Sequence, residues 1–158
     1  MSSPLLTVAA VLLLIGGRWA YARWKRARFM AQLQRGVEAT KRRNAAEAES
    51  AFRACVRLAP SSPQVRLALG AALAQGQKFD EAEEQLRMAA QLEPKQPRGH
   101  LELGFFLALC APDRPDEAVA AFRDALECEP KLKEGLAKDP RLAGLRENIS
   151  FKELLQIP

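Results

Sequence analysis

A step of 34 residues runs through this chain of 158. Gly36, Gly70 and Gly104 are each 34 apart, and the pairs Ala48/Ala82, Phe52/Leu86 and Pro60/Pro94 keep the same step. The third copy arrives two residues late, at Ala118, Phe122 and Pro130. A unit of this length cannot bury an apolar face alone, so about three stacked copies and a cap are the usual minimum. Within the second copy, Leu69, Leu73, Leu86 and Leu92 recur at helical spacing and are expected inside. Gly70 is expected to face Ala82 and Ala89 where two helices approach closely. Pro60, Pro94 and Pro130 each end a helix, because proline lacks the amide donor and clashes with the preceding turn.

Leu69-Gly70-x2-Leu73, Ala82-x3-Leu86, Ala89 and Pro94 resemble the tetratricopeptide repeat, a 34-residue helix–turn–helix unit. The resemblance covers about residues 29 to 132 and implies an all-α solenoid of three repeats, 29–62, 63–96 and 97–132. It also implies a binding scaffold whose ligand lies in a concave groove lined by the first helix of each repeat. The groove-facing places would be Met30, Leu33, Val37 and Thr40, then Gln64, Leu67, Ala71 and Ala74, then Arg98, Leu101, Phe105 and Ala108. Leu33, Val37, Gln64, Leu67, Ala71, Arg98, Leu101 and Phe105 are taken as the candidate partner-binding residues. An apolar stripe of this kind suits an amphipathic partner helix or peptide. Repeat domains of this family that clamp acidic chaperone termini carry Lys, Asn and Arg where this chain has Leu33, Val37, Ala68, Arg98 and Glu102. Only Arg98 fits, which argues against such a clamp.

The first 28 residues differ in kind. Leu5 to Gly17 contains no charge, and only Arg18 interrupts the apolar run as far as Ala22. Eighteen helical residues span roughly 27 Å, close to a bilayer's hydrocarbon thickness. Trp19, Tyr21 and Trp24 then stand where an interfacial aromatic belt belongs. Ala20-Tyr21-Ala22 resembles a signal-peptide cleavage site, but no basic residue precedes the apolar run, so an uncleaved transmembrane anchor is expected. Residues 1–43 carry nine Lys and Arg against Glu38, a net +8, whereas residues 44–158 are at −3. The positive charge therefore belongs beside the bilayer rather than to a nucleic-acid-binding surface. It places the repeats in the cytoplasm and the extreme N-terminus outside. A bacterial inner membrane is favoured, with a mitochondrial outer-membrane receptor as the alternative.

Local signals fill in the helices. No Pro or Gly interrupts Arg18 to Arg35, so the membrane helix is expected to run on into the first repeat helix, ending near Arg43. Asn44 and Glu47 form a capping box. Ser62-Pro63 opens the third helix and Gly76 closes it. Helices follow at Lys78–Leu92, Pro97–Leu109 and Asp116–Cys128, with the two-residue insertion in the turn between Cys110 and Pro115. Behind Pro130, Asp139-Pro140 and Ser150 with Glu153 mark two more helix starts. This tail resembles the DP-x-L-x2-LR segment behind the last repeat of many such proteins, so residues 133–158 are expected to be capping helices.

Catalytic chemistry finds no support: there is no phosphate loop and no Ser-His-Asp set. His100, the only histidine, occupies a packing place. Cys55, Cys110 and Cys128 are too scattered for a disulfide framework or a metal site. Glu81, Glu83 and Glu84 read as a solvated helix face. The expectation is a non-enzymatic, single-pass, membrane-anchored scaffold without cofactor, metal or nucleic acid. Its partners would be the bilayer and another protein. A structural accessory subunit among neighbouring subunits of a membrane complex is the alternative.

Overall fold

The computed structural model describes the backbone of residues 4–156 and the side chains of residues 16–156. Every regular element among them is helical: α1 (Pro4–Lys41), α2 (Ala45–Leu58), α3 (Pro63–Gln75), α4 (Phe79–Leu92), α5 (Pro97–Cys110), α6 (Pro115–Cys128), α7 (Leu132–Lys138) and α8 (Ile149–Leu155). A 3-10 helix, Pro140–Leu145, lies between the last two. The hairpins α1/α2, α3/α4 and α5/α6 stack in chain order, each second helix packing on the first helix of the next hairpin.

Each hairpin is closed by one large side chain entering a notch. A Cβ on Gly36 would lie 2.5 Å from the Phe52 ring, one on Gly70 would lie 2.9 Å from Leu86, and one on Gly104 would lie 2.7 Å from Phe122. The repeating glycine is therefore the socket for the repeating Phe or Leu of the same hairpin. Ala48, Ala82 and Ala118 are fully buried beside these contacts. This corrects the expected pairing of Gly70 with Ala89. Ala89 and Ala90 instead meet the next hairpin, where a Cβ on Gly99 would come within 2.7 Å of Ala90 Cα. Leu69, Leu73 and Leu86 are buried as expected, but Leu92 is 40% exposed at the end of α4.

The turns show what the insertion changes. Asn44 caps α2 by accepting from the Glu47 amide at 3.1 Å. Glu47 answers through the Asn44 side-chain amide at 3.2 Å rather than through the backbone. Arg43 and Gln77, which are 34 apart, both adopt left-handed backbone, at φ 56° and 61°. Each lets the following amide reach back five residues: Asn44 N–H to the Ala39 carbonyl and Lys78 N–H to that of Leu73, both at 2.9 Å. Gly76 is the C-cap of α3 with ordinary φ, so the special conformation falls one residue later than expected. Ser62 stands at the N-cap of α3, but its side chain makes no capping bond. The longer third turn has no left-handed residue; Ala111 caps α5 at φ −134° and ψ 61°.

The same period organises charge between hairpins. Glu49 accepts from Arg53 at 2.9 Å on its own helix and from Lys78 of the next hairpin at 3.0 Å. One repeat later, Glu83 accepts from Arg87 at 2.7 Å and from Arg114 at 2.6 Å. Arg53 also pairs with Glu81, and Arg87 with Glu117. Glu84 is exposed as expected of a solvated face, whereas Glu83 belongs to an inter-repeat clamp and is only 16% exposed. At the corresponding place in the third repeat stands Val119, which is buried in the core with Leu136, Leu142 and Phe151. The ladder ends there, and the C-terminal segment takes over.

A pH dependence follows. Hydrogen bonds from Arg114 and Arg87 hold the Glu83 carboxyl below the usual carboxylate range, against the opposing effect of burial. Lys78 and then Arg53 do the same for Glu49. Because both titrate lower in the folded chain, their stabilisation is complete above the unfolded value, about 4.3. It is lost as pH falls through the lowered folded values. Glu83→Gln is expected to cost about 1–2 kcal/mol at neutral pH, between a surface pair and a charged hydrogen bond. Urea melts at neutral pH and near pH 3 should show the variant's deficit shrinking on acidification; an equal deficit at both would remove the clamp.

The tail behaves as a cap. The 3-10 helix packs on α5 and α8 packs on α6, burying Leu142, Leu145, Phe151 and Leu155. Asp139 caps the 3-10 helix through the Arg141 amide at 2.9 Å. Asn148, rather than Ser150, caps α8 through the Phe151 amide at 2.9 Å.

Among the described residues, no helix is long and apolar enough to cross a membrane. The run on which a span was expected, Leu5 to Gly17, lies on α1, but the side chains up to Ile15 fall outside the described residues.

Candidate partner-binding groove

Between the first helices of the second and third hairpins lies an open cavity of about 270 Å³. Leu67, Ala71 and Ala74 from α3 form one wall, with Glu102, Phe105 and Leu109 from α5 opposite and Leu86 also lining it. Helical spacing explains the walls, since Leu67, Ala71 and Ala74 fall at i, i+4 and i+7, and Phe105 and Leu109 at i and i+4. Leu109 is 54% exposed, and Ala71 is exposed beside it. Both are therefore open to another molecule.

Phe105 is more constrained than its sequence position implies. It is half-buried, with its edge 78° to the Phe122 ring and the centroids 5.3 Å apart. Arg141 from the C-terminal segment covers it, its guanidinium carbon 3.8 Å from the ring centre. Asp139 holds that guanidinium through three contacts, of 3.1 and 3.3 Å at Nε and 2.7 Å at Nη2. Arg141 in turn keeps the Asp139 carboxyl below its usual range. Phe151 and Leu155 of the tail do not line the cavity; the Phe151 ring lies 6.1 Å from that of Phe122.

Of the eight candidate residues, Leu67, Ala71 and Phe105 line this cavity. Leu33 and Leu101 are half-buried, and Val37, Gln64 and Arg98 are exposed outside it. Leu109 was legible as the next turn after Phe105. Arg141 was not, because only the folded tail carries it to the groove.

A second hollow, of about 440 Å³, lies among His100, Lys95, Asp124 and Cys128. His100 Nε2 is 3.1 Å from the Pro94 carbonyl, and the Cys128 thiol donates to the same oxygen at 3.4 Å. Both are satisfied structurally. Buried Cys55 donates to the Phe29 carbonyl at 3.8 Å, and burial raises the pKa of its thiol. Among the described residues no group of three or more His, Cys, Asp or Glu side chains is arranged to hold a metal.

The tetratricopeptide repeat family profile matches residues 39–103, from the end of α1 into α5. The helices within that match are tetratricopeptide repeats. Solved tetratricopeptide domains share the fold. The Arabidopsis OM64 TPR domain superposes with a TM-score of 0.62 at 20% identity, over 84% of this chain and 98% of that one. The TPR2B domain of yeast Sti1, solved as a pHsp70 complex, gives 0.61 at 18% identity, over 75% and 95%. An O-GlcNAc transferase mutant from Thermobaculum terrenum gives 0.59 at 24% identity, over 69% of this chain but only 21% of that one. At these identities the likeness is one of fold. No curated protein matches the chain in sequence.

Proposed function

We propose that this tetratricopeptide-repeat chain is a non-enzymatic scaffold that recruits a partner protein through the cavity between α3 and α5. The observation that carries this reading is the open apolar wall of Leu67, Ala71, Phe105 and Leu109. Such a wall suits an amphipathic helix presenting residues at i, i+3, i+4 and i+7. The TPR2B domain of yeast Sti1, which shares the fold, was solved as a pHsp70 complex. The proposed organisation is an anchor in residues 1–28, repeats at 29–62, 63–96 and 97–132, and a cap in 133–158. The uncharged run from Leu5 to Gly17 and the basic flank behind it support a membrane anchor with cytoplasmic repeats. A permanently filled groove in a membrane complex is the second reading, favoured by the Arg141 cover on Phe105.

The test is affinity capture from solubilised membranes with wild type and with Ala71→Glu/Leu109→Glu. Both side chains are exposed, so melting should change by less than about 0.5 kcal/mol. Captured partner should fall at least tenfold, as when a hot spot worth about 2 kcal/mol is lost. Unchanged capture would move the binding site elsewhere.

A further inference from the structure

Helix α1 is continuous from Pro4 to Lys41, and packing on α2 reaches it at Phe29, beside Cys55. None of residues 16–28 is buried. Trp19, Tyr21 and Trp24 stand 70%, 62% and 52% exposed there. Arg18, Arg23, Lys25, Arg26 and Arg28 share the segment, and no acidic residue precedes Glu38. At about 100° per residue, the five cations spread over about 220° of the helix surface, and Ala20, Trp24 and Ala27 occupy the remaining sector. The segment thus carries a broad cationic arc beside a narrower apolar one. It is also ordered internally: Tyr21 stacks on Trp24 at 5.8 Å, and Arg28 sits 5.3 Å over the Trp24 ring.

We propose that residues 18–28 form a partial collar, a cationic arc on α1 that binds anionic phospholipid headgroups where the helix leaves the bilayer. It would seat the first repeat close to the membrane surface. The inference rests on the anchor reading and deepens it. The charge is complementary to a phosphate surface, the aromatic rings suit the headgroup region, and the apolar run lies immediately N-terminal. The partner of the groove is then itself membrane-bound or approaches close to the bilayer.

Both tryptophans of the chain lie in the collar, so intrinsic fluorescence reads it directly. The probes are vesicles of phosphatidylcholine alone and vesicles with added phosphatidylglycerol, with brominated lipid as quencher. The full chain is compared with Leu12→Glu/Leu14→Glu, which interrupts the apolar run and leaves the collar intact. That variant should shift to the blue and be quenched only on the anionic vesicles, reversibly with salt. Neutralising Arg23, Lys25, Arg26 and Arg28 to Gln should weaken this binding roughly fivefold per residue. Equal response to both lipids, or indifference to the four substitutions, would overturn the collar even if the wild type inserts. Wild type failing to insert in either vesicle sinks the anchor, while the interrupted variant still reads the collar. A shift with duplex DNA and none with vesicles would assign the surface to nucleic acid and overturn the proposal.

Discussion

Phe122→Ala is expected to cost about 3–5 kcal/mol and to loosen the third repeat together with the cap. Phe122 is completely buried, fills the Gly104 notch and touches both Phe105 and Phe151 at ring separations of 5.3 and 6.1 Å. It therefore joins α5, α6 and α8 through one side chain. A loss of this size is a large share of a domain's total margin, about 5–15 kcal/mol. Thermal melting of the variant should show an early transition or a lowered single one. A midpoint close to wild type would mean that the cap does not depend on this contact.

Gly99→Ala should be the most damaging of the glycine substitutions in the array, at about 2–3 kcal/mol. Its new Cβ meets the Ala90 backbone at 2.7 and 2.9 Å, and no rotamer change moves a backbone away. The α4–α5 contact between repeats would have to open. At Gly70 the new Cβ meets the Leu86 side chain at 2.9 Å, which has freedom to turn. In both cases alanine's better helix propensity returns up to about 1 kcal/mol. Denaturant melts of the two variants should rank Gly99→Ala as clearly less stable, and the reverse order would mean that the repeat interface is softer than the notch.

The hairpins were legible because the period marks them directly. Gly36, Gly70 and Gly104 with Phe52, Leu86 and Phe122 recur in step, and proline or Asn44 punctuates the helix ends. What the sequence concealed lies between repeats. Ala89 read as a partner of Gly70 because both are small, whereas it faces the next hairpin and Gly99. Glu83 read as solvated because its neighbours are acidic, although Glu49 and Arg53 recur as Glu83 and Arg87 one period later. At the groove, Leu67, Ala71 and Phe105 followed from helical phase. The Arg141 cover did not, since a 3-10 turn in the tail carries no periodic signal. Gln77, rather than Gly76, takes the left-handed place, because a Schellman closure puts that conformation one residue beyond the helix cap.

Because Phe105 belongs partly to the core, replacing it cannot separate binding from folding. Placing a photo-crosslinking amino acid at Leu109, and at the exposed Gln91 on α4 as control, leaves the core untouched. Irradiation of the full chain in its native membranes should give a partner adduct from position 109 and none from 91. Adducts from 91 alone, or from neither position while the captured partner is present, would contradict a binding groove between α3 and α5.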